Sequence, residues 1–89
     1  MKIIFDSGFL EKLKRVDVRI RMNVKRKIDI FSKNPNDLQL NNHPLQKEYR
    51  DYRSINLTAD YRAIYKEVII EDEVIAYFVI FGTHKELYS

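Results

Sequence analysis

Arg53 to Phe81 reads RSINLTADYRAIYKEVIIEDEVIAYFVIF, and this run decides the fold. From Tyr49 onward the pattern has a period of two. Arg53, Ile55 and Leu57 alternate with Tyr52, Ser54 and Asn56. Such alternation sends successive side chains to opposite faces of a strand. Thr58-Ala59 supplies a tight connection, and Asp60–Ile70 forms a second extended run. Glu71-Asp72 supplies the next turn, and the almost wholly apolar run Glu73–Phe81 follows. Three strands with short links make an antiparallel meander. The third is apolar on both faces, which places it centrally in the sheet.

Upstream of the meander the period lengthens. Lys2–Phe5 is short and β-prone, a first strand. Asp6-Ser7-Gly8 then opens a helix, with Asp6 or Ser7 able to accept hydrogen bonds from its free N–H groups. Phe9, Leu10, Leu13 and Val16 recur at helical spacing. Asp17 can cap a second helix, in which Ile20, Val24, Ile28 and Phe31 form one apolar stripe. Arg19, Arg21, Lys25 and Arg26 lie off that stripe. Pro35 ends the helix, because proline disfavours α geometry at the residue before it. The order is β-α-α-β-β-β, a single α+β domain over residues 1–89 with a helical hairpin on one face of a mainly antiparallel sheet. Asn36–Gln46 is the one long connection, which favours a functional loop. Leu38, Leu40 and Leu45 are expected to pin it to the core.

Composition limits the chemistry. The chain is 45% apolar and contains no cysteine, so it folds without disulfides and offers no thiolate to a metal. Absent cysteine fits a reducing cytosol. The Met1–Asp6 segment is not the start of a signal peptide, and no stretch reaches the length of a membrane span. Residues 1–50 carry 12 Lys/Arg against 6 Asp/Glu, whereas residues 51–89 carry 4 against 7. The basic half invites a polyanion, although a solvated helix surface would look the same.

The groups able to do chemistry gather around the uncovered sheet face. They are His43 on the loop, Asp60 and Arg62 on the middle strand of the meander, and His84 and Tyr88 in the tail Gly82–Tyr88. No tight metal-ligand spacing appears, and no serine sits in a nucleophile turn. RNA cleavage without metal fits better. RNA brings its own nucleophile, the 2′-hydroxyl, and needs a base, an acid and a cation for the phosphorane charge. Histidine titrates near neutrality, arginine offers a planar fork to phosphate, and an aromatic ring can stack on a base. Each group also has a structural role open to it. His43 could cap the loop before Pro44, Arg62 could pair with Asp60 two residues away, and Tyr88 could plug the edge of the core.

Four stretches together resemble the RelE/ParE superfamily of type II toxins, above all the YafQ-like mRNA interferases. They are the short strand with its helical hairpin, His43-Pro44-Leu45, Arg53–Leu57 followed by Asp60–Tyr65, and Gly82–Tyr88. The resemblance covers essentially the full length. It implies a RelE-like fold and an endoribonuclease that enters the ribosomal A site and cuts mRNA through the 2′-hydroxyl, with no metal or other cofactor. It implies His84 and His43 as proton-transfer groups, Asp60 as the strand carboxylate and Arg62 as the phosphate ligand. Tyr88 matches the terminal aromatic near the cleaved base, and Asn56, Lys85 and Arg53 fall in the matched motifs as RNA contacts. Asn56 departs from the pattern, since YafQ-like toxins carry histidine there and an amide cannot exchange a proton at neutral pH. The implied partners are the ribosome with its mRNA and a cognate antitoxin, in the cytoplasm. Two alternatives stand beside this reading. One is a ParE-like gyrase inhibitor of the same fold, and the other is a catalytically weak homologue that only binds antitoxin or RNA.

Overall fold

The computed structural model describes residues 1–88, Tyr88 by its backbone alone. Strand β1 (Lys2–Phe5) leads into helices α1 (Ser7–Lys14) and α2 (Val18–Lys33). A two-residue strand β2 (His43–Pro44) precedes β3 (Arg53–Asn56), β4 (Tyr61–Ile70) and β5 (Glu73–Thr83), and α3 (His84–Tyr88) follows directly. The five strands form one sheet in the order β1-β5-β4-β3-β2. β1 runs parallel to β5, and the other pairings are antiparallel. The expected α+β order is present, and β5 is internal as its two apolar faces required.

Local chemistry sets the boundaries. Asp6 accepts from the Gly8 N–H and Asp17 from the Arg19 N–H, each satisfying a donor that its helix leaves free. Asn34 caps α2 just before Pro35. The α2 stripe faces the sheet, with Val24 and Phe31 buried and Ile20 and Ile28 packed beside them. The Phe78 ring lies 5.1 Å from Phe31, edge-on, and 5.1 Å from Tyr65, stacked, at the centre of the core. Between β4 and β5 the chain reverses through Glu71 and Asp72, both at positive φ (50° and 64°). Two left-handed residues match the right-handed twist of the strands they join.

The connection after α2 is more ordered than its composition implied. Leu38–Leu40 forms a 3₁₀ turn whose N-cap, Asp37, accepts from the Gln39 N–H. Leu40 is fully buried and Leu45 half-buried, but Leu38 is 96% exposed and does not pin the loop. With three residues per turn, positions 38 and 40 point different ways, so both cannot face the core. His43 and Pro44 then pair with Ser54 and Arg53 as an edge strand, the place in a sheet where proline is tolerated.

Candidate active site

Sheet parity builds the site. Ile55, Ala63 and Phe81 are buried in the core under the helices. Their neighbours Asn56, Arg62 and Gly82 therefore face the opposite side of the sheet, where Asn56 lies across from Arg62 and Arg62 across from Gly82, Gly82 itself being covered by α3. β2 brings His43 to one end of this row. At the other end β5 passes into α3, whose first residue is His84. Asn41, His43, Asn56, Arg62 and His84 line one cavity of about 290 Å³. Residues 41 and 84 are thus brought together by three strand pairings rather than by anything local.

His43 is held in a defined state. Its Nδ1 lies 2.8 Å from the Asn41 carbonyl oxygen. A carbonyl only accepts, so in the neutral ring the proton sits on Nδ1 and Nε2 keeps its lone pair. Asn41 delivers that carbonyl from a left-handed backbone (φ 46°, ψ 49°), a conformation asparagine reaches more readily than most residues. Asn42 fixes the loop behind it. Its Nδ2 donates to Pro35 O (2.9 Å) and to the Tyr65 hydroxyl (2.8 Å), and its Oδ1 accepts from Arg53 Nε (2.7 Å). Burial pushes the Tyr65 hydroxyl above its ordinary pKa, so it stays protonated in this network.

Arg62 is gripped at one end. Its Nη1 donates to the carbonyls of Thr58 (3.0 Å), Ala59 (3.1 Å) and Tyr61 (3.1 Å), tying the guanidinium to the β3–β4 connection. Among the described residues its Nε and Nη2 have no protein partner and remain available to an anion. The alternative ion pair with Asp60 does not form. Asp60 does not line the cavity; its backbone carbonyl accepts the His84 N–H at 2.7 Å and so tethers the start of α3.

The remaining expected site residues lie elsewhere. Arg53 points its Nε at Asn42 and borders a separate hollow with Arg50, Tyr52 and Glu67. Lys85 is exposed on α3, outside the cavity lining. The side chain of Tyr88 lies outside the described structure. Asn41 was missed, because an asparagine pair ahead of His43-Pro44 reads only as turn chemistry. Among the described residues no three histidine, aspartate or glutamate side chains converge as metal ligands. Beside the polar cavity lies an apolar cleft of about 310 Å³, lined by Leu45, Tyr49, Ile64, Ile80 and Leu87 with Gln46 and Glu86 at its rim.

No protein-family model matches the sequence, and no curated protein matches it. Solved structures do. YafQ from E. coli strain BL21(DE3) is 25% identical, with 99% of this chain and 98% of that one aligned at a TM-score of 0.72. A YoeB/ParE toxin from Agrobacterium tumefaciens is 20% identical over 94% of this chain and 99% of its own, at a TM-score of 0.75. The toxin-antitoxin complex DinJ-YafQ of E. coli supplies a match at 24% identity, covering 99% and 97%, with a TM-score of 0.71. The chain therefore has the fold of the RelE/ParE/YafQ toxins over nearly its whole length.

Proposed function

We propose that this protein is the toxin of a type II toxin–antitoxin pair and cleaves mRNA on the ribosome through the RNA 2′-hydroxyl, without metal. One observation carries the reading: two histidines, two asparagines and an arginine, whose Nε and Nη2 have no partner among the described residues, line one solvent-open cavity. His43 Nε2 takes the 2′-hydroxyl proton. The 2′-oxygen attacks the adjacent phosphorus, and the bond to the 5′-oxygen breaks as that oxygen receives a proton from His84. The products are a 2′,3′-cyclic phosphate and a 5′-hydroxyl. Arg62 Nε and Nη2 donate to the non-bridging oxygens as charge builds on them. Asn56 can hydrogen-bond a phosphate or a base edge without exchanging a proton. Asp60 has no proton-transfer role in this scheme, because its carboxylate does not line the cavity.

The likeness to DinJ-YafQ also supports an antitoxin as partner. The test is expression of wild type and His84→Ala in a host, with mRNA 5′ ends mapped. Cuts inside reading frames should appear with wild type and be lost with the variant. In purified form the variant should cleave ribosome-bound mRNA roughly 10²–10⁴-fold more slowly, the scale for a positioned proton-transfer group. Equal rates would overturn the assignment. Inhibition of DNA supercoiling with no mRNA cleavage would replace it with gyrase inhibition.

A further inference from the structure

We propose that Lys12, Thr83 and Glu86 form a latch that closes over Gly82 and positions His84. The proposal rests on the reading of His84 as the leaving-group acid. A helix of five residues cannot hold itself in water, where helices below roughly 12–15 residues are marginal. His84 is the first residue of that helix, so the position of its backbone depends on what anchors α3.

The anchors are specific. Thr83 and Glu86 form a reciprocal capping box. Thr83 donates to Glu86 Oε1 from its backbone N–H (2.9 Å) and its hydroxyl (3.0 Å), and the Glu86 N–H donates to Thr83 Oγ1 (3.1 Å). Glu86 Oε2 accepts from Lys12 Nζ of α1 at 3.1 Å. Both carboxylate oxygens are thus engaged, one within α3 and one across to another element. β1 stops at Phe5 opposite Phe78, so no strand flanks the last rungs of β5 on that side, where Lys12 reaches in. Gly82 leaves the room. A Cβ there would lie 3.1 Å from Lys12 Nζ and 3.2 Å from Leu87 Cδ2, tighter than the latch allows without giving way.

None of the three residues lines the polar cavity, so any effect on the chemistry passes through His84. The pair is also poor as a stability device. Lys12 and Glu86 side chains are 42% and 51% exposed, and exposed ion pairs contribute little to folding. A proton donor displaced by about 1 Å can nonetheless cost on the order of 100-fold in rate.

The experiment compares Lys12→Ala, Lys12→Arg and Glu86→Ala in the wild-type and His84→Ala backgrounds. In the wild-type background Glu86→Ala and Lys12→Ala should lower kcat about 10- to 100-fold with KM nearly unchanged, Lys12→Ala leaving Tm nearly unchanged and Glu86→Ala, which also loses the cap to Thr83, lowering it modestly, and Lys12→Arg should recover most of the loss. In the His84→Ala background they should cost nothing further. Equal losses in both backgrounds, or an unchanged kcat, would overturn the latch. A readout independent of cleavage is the His84 ring signal in ¹H–¹³C NMR, which should move or broaden in Lys12→Ala while that of His43 stays. An unmoved His84 signal overturns the proposal even if the wild-type protein cleaves no RNA, an outcome that would itself count only against the functional reading.

Discussion

At the scale of single residues, the cavity owes its shape to side chains that do no chemistry. Asn42 ties the end of α2, the core tyrosine Tyr65 and the β3 residue Arg53 to the loop that carries His43. Asn42→Ala removes three hydrogen bonds at once, and the loss of partly buried polar partners costs about 1–3 kcal/mol. Urea denaturation should show that loss, together with slower cleavage as His43 drifts. An unchanged midpoint would mean that water replaces the amide. Glu86 makes a second residue-scale prediction. The Thr83 N–H, and after it Lys12, hold its carboxyl at about 2 rather than 4.5. A carboxyl depressed on folding stabilises fully above its unfolded value and loses that contribution as pH falls through its folded one. Between pH 5 and 2 the Tm of the wild type should therefore drop more steeply than that of Glu86→Gln. Parallel curves would show that the carboxylate is not held this way. Histidine and arginine were recognisable as candidates from their types alone. Asn42 was not, because its partners lie up to 23 residues away, nor was Asn41, which acts through a backbone carbonyl that any residue carries.

At the scale of elements, what the sequence revealed depended on the range of the forces involved. The alternation of Arg53–Leu57 and the 4, 4, 3 spacing of Ile20 to Phe31 are repeated local signals, and β3 and α2 sit where they predict. β2 and α3 went unread as elements. β2 has two residues, too few for a period, and exists only because β3 offers it an edge. α3 has a capping box, but five residues hold no apolar repeat, so the tail carries no periodic helix signal. Leu38 failed for a related reason: apolar character does not say which way a residue in a 3₁₀ turn points. The β4–β5 turn gives the element-scale prediction. Glu71 and Asp72 both carry a Cβ at positive φ, a conformation that costs side-chain-bearing residues about 1–2 kcal/mol each. Asparagine-glycine suits such a two-residue hairpin. The double change Glu71→Asn, Asp72→Gly should stabilise the fold by about 1 kcal/mol, visible as a raised urea midpoint at unchanged cleavage rate. A lowered midpoint would mean that the turn geometry differs in solution.

At the scale of the whole molecule, charge and site lie on opposite sides of the sheet. The helical hairpin, residues 7–33, carries nine Lys/Arg against three Asp/Glu. It covers the face with Ile55, Ala63 and Phe81, whereas Asn56 and Arg62 look out from the other. The molecule is 27 Å across its shorter axes. A charge on the outer side of α2 is therefore separated from a phosphate in the proposed site by more than the Debye length, about 8 Å at physiological salt. Such charges are too well screened there to stabilise a phosphorane, but they can attract a large polyanion such as the ribosome, or an acidic antitoxin, during encounter. The sequence exposed the excess of positive charge; only the fold shows that it faces away from the site. The consequence is a separation of kinetic constants. Reversing two exposed α2 cations together, Arg19→Glu with Arg26→Glu, should raise KM for ribosome-bound mRNA on the order of 10-fold at low salt and leave kcat within about 2-fold, because screening confines the effect to association. The rise in KM should shrink as salt is added. If kcat fell in step with KM, the helical face would have to contact the reacting RNA itself, and the division of labour between the two faces would be wrong.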